Sequence, residues 1–295
     1  MGTGATAPSL ASDLLALAKP RITALVTLTT AAGFAVAMPR EGEFPWPLFV
    51  HTVLGTALVA AGSAAFNQLW ERALDARMRR TAQRPLPAGR RTAGLALAWG
   101  AALSAAGLAE LLWLVNALTA GLAAATLAAY ILLYTPLKTR TAFATIVGAV
   151  PGAAPPVLGW TGATGSLDLG AWLLFALLFL WQLPHFLSIA WLYREDYRRA
   201  GMHLLTIDDP DAQRTGRQTV VWALALLPVS LMPAAVGLGG GLYLAGAALA
   251  GSVFVTAAIR FARRPQIESA RRLLLTSVFY LPAVLGVLVL DHWLA

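Results

Sequence analysis

The segment AAFNQLWERALDARMRRTAQRPLPAGRR, residues 64–91, joins the end of an apolar run to a strongly basic loop. Before it the chain is apolar enough to lie in a bilayer, and Asn67, Glu71 and Asp75 then appear at four-residue spacing. Seven arginines follow between Arg72 and Arg91. This pattern predicts a membrane helix whose end carries a charged site at the membrane surface.

The composition of the whole chain is that of a polytopic membrane protein. Hydrophobic residues make up 58% of the 295 residues, and charged residues only 12%, against roughly 25% in soluble proteins. The net charge of +8 does not indicate nucleic acid as a partner, because the basic residues lie in short loops between apolar runs. Cysteine is absent, which excludes disulfides, thiolate metal sites and cysteine nucleophiles.

The apolar runs predict an all-α fold with nine transmembrane helices in a single membrane domain, residues 1–295. The criterion is that a bilayer core of about 30 Å requires roughly 20 apolar residues per helix. The predicted spans are 14–38, 48–70, 93–114, 117–134, 142–161, 169–192, 219–238, 241–260 and 272–294. Residues 1–11 are expected to be disordered.

The distribution of basic residues predicts the orientation of these spans. With the N-terminus inside and the C-terminus outside, only Arg40 of the 22 lysines and arginines falls on the outer side, as the positive-inside rule requires. The second and sixth helices then end at the same cytoplasmic face. The sixth also ends in acids, Glu195 and Asp196.

The acids of the second helix have the spacing of a metal-bridged diphosphate site. At about 100° per residue, Asn67, Glu71 and Asp75 lie within an arc of roughly 80° on one helix face. Oxygen ligands of this kind suit Mg²⁺, and arginines suit phosphate groups. The alternative is interfacial solvation with pairs such as Asp75 and Arg79, but polar groups inside a membrane helix are costly and usually functional. An allylic diphosphate, with a lipid tail and an anionic head, is the substrate that these features favour.

Several motifs resemble a known family of enzymes. The pattern NxxxExxxD followed by MRRTAQRPLPAGR resembles the first signature of the UbiA superfamily of intramembrane prenyltransferases, and nine helices also match that fold. Further stretches are similar to its heme-using branch, the protoheme IX farnesyltransferases: KPRIT (19–23), YTPLKTRT (134–141), VGAVPGAAPPVLGW (147–160), FLWQLPHFLSIAW (179–191) and YREDYRRAGMHLL (193–205). The resemblance covers residues 15–205, and the last three helices add only their number and length.

This resemblance implies a reaction and a location. It implies transfer of a farnesyl group from farnesyl diphosphate to a vinyl group of heme B, with addition of water, giving heme O. Mg²⁺ would be the cofactor, heme B a substrate, and a heme A synthase the partner that receives the product. The enzyme would lie in the bacterial cytoplasmic membrane with its active site facing the cytoplasm.

The resemblance also implies roles for individual residues. The catalytic and metal-binding set is Asn67, Glu71, Asp75 and one acid of the second motif, with Asp196 favoured over Glu195. The set expected to contact diphosphate is Arg84, one of Arg79 and Arg80, Lys138 and Arg140. His185 could ligate the heme iron, orient a propionate, or simply bond a neighbouring carbonyl. Arg21 and Arg194 are weaker candidates that could meet either diphosphate or propionates.

Two departures from the family pattern bear on these expectations. Glu71 stands where the first motif more often has Asp, and glutamate keeps the negative charge of that position. Tyr193 and Tyr197 stand where quinone prenyltransferases commonly have Asp.

A quinone or other aromatic prenyltransferase of the same fold is the closest alternative. A transporter is a second alternative, and a membrane scaffold a third, although transporters place their polar sites near the midplane.

The prolines and glycines between residues 148 and 156 predict an interruption of the fifth helix that shapes the substrate chamber.

Overall fold

The structure, a computed structural model, describes residues 8–294 and contains only helices and connecting segments within that range. The predicted all-α fold is therefore confirmed. The helices are α1 (Leu10–Leu17), α2 (Pro20–Ala37), α3 (Trp46–Asp75), α4 (Ala93–Leu114), α5 (Ala117–Ala128), α6 (Thr135–Leu137), α7 (Ala144–Gly152), α8 (Ala154–Thr164), α9 (Leu169–Leu192), α10 (Arg194–Arg199), α11 (Gln213–Ala235), α12 (Gly241–Arg263) and α13 (Ile267–Leu294). A π-helical turn, Ala129–Tyr134, joins α5 to α6.

Eight helical stretches among the described residues are long and apolar enough to cross a membrane. They are α2, α3, α4, the stretch Ala117–Leu137, α9, α11, α12 and α13, and they overlap eight of the nine predicted spans. The ninth predicted span, 142–161, corresponds to the two shorter helices α7 and α8. The count of nine spans and the N-in/C-out orientation stay predictions. The disorder expected for residues 1–11 falls largely outside the described residues, and α1 begins at Leu10.

The predicted helix 14–38 is wrong as a single element, because the chain breaks at Lys19. This residue adopts a left-handed backbone conformation with φ 48° and directly precedes Pro20. Proline disfavours the α conformation in the residue before it and supplies no N–H to the preceding turn. The break lets α1 pack against α3, where Gln68 Nε2 donates hydrogen bonds to the carbonyls of Ala16 and Leu17, both at 2.9 Å.

The proline-rich segment is interrupted, as its sequence predicts. Helices α7 and α8 meet at Ala153, and Pro151 lies inside α7. A Cβ added at Gly152 would lie 2.2 Å from Gln182 Oε1 of α9, so a larger residue would displace the Gln182 side chain. The same glutamine donates from Nε2 to the carbonyl of Ala149 at 2.8 Å. The broken segment is thereby fixed against α9.

Helices α2 and α8 approach each other very closely through glycine. A Cβ at Gly159 would lie 1.9 Å from the carbonyl oxygen of Thr30 in α2. The largest apolar core of the described residues is built mainly from α9, α11, α12 and α13, around residues such as Leu177, Phe254 and Leu281. These helices provide the rigid frame for the segments at their ends.

Three connecting segments converge at one end of the bundle. The loop after α3 packs Met78 against Ala200 and Met202, which follow α10. The backbone N–H of His203 donates to the carbonyl of Lys138, in the segment after α6, at 2.9 Å. The residues that follow α3, α6 and α9 therefore surround a common site.

Candidate active site

The candidate site is built on the last three turns of α3. Asn67, Glu71 and Asp75 are buried, with only 1%, 4% and 1% of their surface exposed. Their spacing places them on one face of the helix, and α3 continues five residues past the predicted end at residue 70. The helix therefore carries all three side chains in a fixed register.

Each of these side chains contacts a cation from a different segment of the chain. One cation comes from the break between α1 and α2, one from the segment after α6, and one from the loop after α3. The contacts are Lys19 Nζ to Asn67 Oδ1 at 2.6 Å, Lys138 Nζ to Glu71 Oε1 at 2.6 Å, and Arg84 Nη1 to Asp75 Oδ2 at 2.7 Å. Buried carboxylates require such partners, because an unpaired buried charge is very costly.

The oxygen atoms of this face fit a magnesium ion. Asp75 Oδ1 is buried and makes no hydrogen bond within the described part of the chain, so it is an acceptor that a cation can satisfy. Between residues 8 and 294 no group of three or more His, Cys, Asp or Glu side chains is arranged so that it could hold a metal ion by itself. Two carboxylates and an amide oxygen are nevertheless sufficient, since Mg²⁺ is usually held by one or two carboxylates together with substrate phosphates and water.

The two lysines of the site are shifted in opposite directions. Burial lowers the pKa of Lys138, but the neighbouring Tyr134 and Glu71 outweigh it, so that the pKa is raised above its usual value. Lys138 Nζ also lies 4.4 Å from the centre of the Tyr134 ring. Lys19 lies before the first span, and burial together with repulsion from Arg84 lowers its pKa to about 7. The surroundings of Lys138 therefore favour its charged form, whereas those of Lys19 favour its neutral form.

Helix α10 holds the basic loop through Arg80. The guanidinium carbon of Arg80 lies 4.8 Å from the ring centre of Tyr193 and 5.8 Å from that of Tyr197. Arg80 Nη2 donates to the Tyr197 hydroxyl at 3.1 Å, and its backbone N–H donates to Asp196 Oδ2 at 3.4 Å. Burial raises the pKa of the Tyr197 hydroxyl although Arg80 opposes it. The two tyrosines that replace the aspartates of quinone prenyltransferases thus bind an arginine.

The neighbouring acids Glu195 and Asp196 lie in different surroundings. Asp196 is 8% exposed and contacts the basic loop, and its other oxygen pairs with Arg199. Glu195 is exposed and pairs with Arg198. The structure therefore brings Asp196 to the edge of the site and leaves Glu195 at the surface.

The remaining predicted cations lie at the periphery. Arg79 and Arg140 are exposed in the segments that surround the site, and Arg21 is exposed at the start of α2. Arg194 stacks on Trp191, with its guanidinium carbon 4.3 Å from the ring centre. None of these four side chains contacts the α3 face among the described residues, whereas Arg84 and Lys138 do.

His185 lies deeper in α9, about seven residues before the helix end. Its Nδ1 is 2.7 Å from Ser277 Oγ of α13, and its ring stacks on Trp181 with centroids 5.0 Å apart. Ser277 Oγ also donates to the carbonyl of Leu274 at 2.6 Å. Because a hydroxyl has one proton, both bonds form only if His185 Nδ1 is the donor. This assignment leaves Nε2 with a free lone pair.

Ser277 and Lys19 are two residues of this arrangement that the sequence interpretation did not include among its site residues. Ser277 also accepts a hydrogen bond at its backbone carbonyl from Trp181 Nε1 at 2.8 Å, so it holds both members of the stacked pair. A lone serine in an apolar helix gives no signal in a single sequence. Lys19 had one signal, its position directly before a proline at the start of a span.

Comparison with known proteins identifies the family. The profile of the UbiA prenyltransferase family matches residues 26–281. A protoheme IX farnesyltransferase of Solibacter usitatus is 50% identical over 290 residues, which are 95% of this chain and 98% of that protein. A protoheme IX farnesyltransferase of Koribacter versatilis is 42% identical over 293 residues, covering 96% of this chain and 94% of that protein.

Solved structures show the same fold at low sequence identity. A digeranylgeranylglyceryl phosphate synthase superposes with a TM-score of 0.80 at 16% identity, covering 96% of this chain and 98% of that one. A UbiA homologue of Archaeoglobus fulgidus bound to GPP and Mg²⁺ superposes with a TM-score of 0.66 at 15% identity, over 94% of this chain and 99% of that one. This chain therefore belongs to the UbiA prenyltransferase family, in the group of the protoheme IX farnesyltransferases.

Proposed function

We propose that this protein transfers the farnesyl group of farnesyl diphosphate to a vinyl group of heme B, with addition of water, and so forms heme O and diphosphate. The observation that carries the proposal is the buried face of α3, where two carboxylates and an amide oxygen meet three cations. The name of the Solibacter usitatus relative, at 50% identity over almost the full chain, supports heme as the acceptor. A quinone acceptor is not favoured.

The residues of the α3 face bind and activate the diphosphate. Asn67, Glu71 and Asp75 would hold Mg²⁺ through their oxygen atoms, with Asp196 at the edge of the site. When bound, Mg²⁺ neutralises the negative charge that develops on the leaving diphosphate. Lys138 and Arg84 donate hydrogen bonds to the phosphate oxygens, which lowers the barrier to breaking the bond between the farnesyl carbon and oxygen.

Exposed arginines around the site would hold the rest of the diphosphate. Arg80 of the basic loop is fixed by the two tyrosine rings and Asp196, whereas Arg79 of the same loop and Arg140 of the segment after α6 are free to reach a ligand. No protein nucleophile is required. The electrons of the heme vinyl group attack the farnesyl cation, the new carbon–carbon bond forms, and water adds to the resulting cation with loss of a proton.

His185 would position the acceptor. With its proton on Nδ1, Nε2 can donate a lone pair to iron but cannot donate a hydrogen bond to a propionate. We therefore favour iron ligation over propionate binding for His185. Arg21 and Arg194 stay candidates for the propionates, since both are cations at the same end of the bundle as the diphosphate site.

The long apolar helices make this a multi-pass membrane protein. We propose that it lies in the bacterial cytoplasmic membrane with the active site facing the cytoplasm, because that orientation places all but one of its basic residues inside. Heme O released within the bilayer can pass to a heme A synthase as the partner that uses it.

The test is an assay of membranes that contain this protein with heme B, farnesyl diphosphate and Mg²⁺, followed by chromatography of the extracted hemes. We expect a later-eluting farnesylated heme, which disappears with EDTA and returns with added Mg²⁺. Asp75→Asn should lower the rate roughly 100-fold or more, as loss of one stabilising group for the transition state commonly does. Asp211→Asn, which neutralises an exposed acid in the loop before α11, is the matched control and should keep the rate.

Two outcomes would contradict parts of the proposal. An unchanged rate in Asp75→Asn at equal protein level would refute the assignment of the diphosphate site. Prenylation of an aromatic acid, with no product from heme B, would keep that site and refute the acceptor.

A further inference from the structure

A large groove of the described structure lies away from the candidate active site. It is a groove of about 1220 Å³ between α12 and α13. Away from its charged end, apolar side chains line it, Ala250, Val253 and Ala257 on α12 and Leu275 and Phe279 on α13, interspersed with hydroxyl side chains such as Thr256 and Thr276. Val253, Leu275 and Phe279 are exposed in the protein. Because both helices are of membrane-spanning length, these side chains face the acyl chains of the bilayer.

One end of the groove is strongly cationic. Arg260, Arg263 and Arg264 at the end of α12 and Arg272 near the start of α13 line it. Of these four arginines, only Arg272 forms an ion pair with an acid of the described residues, Glu268. Four arginines less one glutamate leave a charge of +3 at this end. This concentrated positive charge should bind an anion more strongly than isolated basic residues of the cytoplasmic loops do.

The cationic end lies at the same end of the bundle as the diphosphate site. Helix α11 begins there after α10, α12 returns to it, and α13 starts from it. In the membrane, this places the arginines at the level of the lipid head groups, with the groove extending along α12 from Arg260 to Ala250 below them. Ten residues of helix correspond to roughly 15 Å, which is half of a bilayer core.

We propose that this groove is a binding site for one anionic phospholipid, with its phosphate on the arginine cluster and an acyl chain between α12 and α13. Basic pockets between transmembrane helices are known sites for anionic head groups. A second copy of this chain fits less well, because two identical grooves packed face to face would bring two clusters of charge +3 together. Heme fits less well because none of the lining residues is His, Met or Cys.

The site is independent of the diphosphate site. None of its lining residues belongs to α3 or to the basic loop, and the acids that could hold a metal are absent from its walls except for the paired Glu268. Lipid bound there holds α12 and α13 together from the outside and screens their arginines, so it stabilises the helix pair.

The experiment compares purified protein in neutral detergent with added phosphatidylglycerol or phosphatidylcholine, using native mass spectrometry and the unfolding temperature. We expect one tightly bound phosphatidylglycerol and a higher Tm, with no such effect from phosphatidylcholine. Arg263→Gln with Arg264→Gln should weaken binding about 30-fold, equivalent to about 1 kcal/mol per arginine. Arg217→Gln, an exposed arginine at the same end but outside the groove, is the matched control.

A second variant tests the apolar part of the site. Ala250→Phe fills the groove without changing the charge, and it should lower lipid retention while the Tm without lipid stays near that of the parent protein. Equal retention in the double arginine variant and in Arg217→Gln would overturn the proposal. Equal retention of phosphatidylcholine, or no effect of Ala250→Phe on retention, would also overturn it.

Discussion

The substitution Ser277→Ala tests how the structure sets the protonation of His185. Ser277 is fully buried in α13, and its hydroxyl joins His185 Nδ1 at 2.7 Å to the carbonyl of Leu274 at 2.6 Å. Alanine removes the hydroxyl, keeps the helix, and leaves Nδ1–H without an acceptor. We therefore expect the substitution to disturb the orientation and tautomer of His185 and to change the packing of α13 very little.

The size of the effect follows from the cost of an unpaired buried polar group. Leaving a buried donor without a partner costs about 1–3 kcal/mol. Without heme, the imidazole of the variant relieves this cost by moving its proton to Nε2, whereas iron ligation by Nε2 restores the unpaired Nδ1–H. Heme affinity should therefore fall roughly 5- to 140-fold, at 1.4 kcal/mol per tenfold change. His185→Ala removes the ligand itself and should abolish the ligation signal.

The assay is a titration of purified protein with heme B, without farnesyl diphosphate, followed through the Soret band. Ser277→Ala should require more heme and give a weaker shift of the band at the same heme concentration. Ser230→Ala is the matched control, because Ser230 is also buried and donates to the carbonyl three residues before it, Leu227. Binding of heme B to His185→Ala with the affinity and spectrum of the parent protein would refute iron ligation by His185.

Two further substitutions test the charge balance of the site and the closest helix contact. Lys138→Met leaves the buried Glu71 carboxylate unpaired, so we expect a loss of about 3–5 kcal/mol of stability, a lower Tm and little farnesyl transfer. An unchanged Tm would show that the pair at 2.6 Å is not formed. Gly159→Ala places a Cβ 1.9 Å from the carbonyl of Thr30 and should reduce the yield of folded protein in size-exclusion chromatography, whereas Gly121→Ala has no heavy atom within 4 Å and should be tolerated.

Most of the long helices could be predicted from the sequence because a bilayer leaves an apolar run few alternatives. A spanning segment must satisfy its own backbone hydrogen bonds, so about 20 apolar residues form a helix. The end of α3 was harder to place, since the run becomes polar at Asn67 while the helix continues to Asp75. At this end of α3, the four-residue spacing of Asn67, Glu71 and Asp75 indicates the extent of the helix better than the length of the apolar run does.

The breaks in the helices show where apolarity alone misleads. In 142–161 the prolines are dense enough to predict an interruption, and α7 and α8 meet at Ala153. In 14–38 a single Pro20 is compatible with a helix that begins there. The break lies at the residue before it, where proline disfavours the right-handed α conformation and Lys19, just after the end of α1, adopts a left-handed one.

The partners of the α3 acids could be predicted only in part. Lys138 and Arg84 are in motifs beside the site, but Lys19 is 48 residues from Asn67 and reaches it only because the α1–α2 break turns its side chain towards α3. Contacts over such separations depend on tertiary packing, which one sequence does not encode in any local pattern. The same holds for Ser277, which lies 92 residues from His185.

The contacts on α3 also explain how one set of residues can serve both folding and binding. Two buried carboxylates at the end of a membrane helix require compensating charge, and Lys138 and Arg84 supply it. A lysine ammonium has three donors on a flexible stem, so Lys138 can donate to a phosphate oxygen while Glu71 turns to a metal. If so, Lys138→Met with Glu71→Gln should recover the Tm lost in the single variant, since no unpaired charge remains, but should not recover farnesyl transfer. If the ion pair were purely structural, the double variant would recover both the Tm and farnesyl transfer. Measuring both quantities therefore distinguishes a binding site from a structural salt bridge.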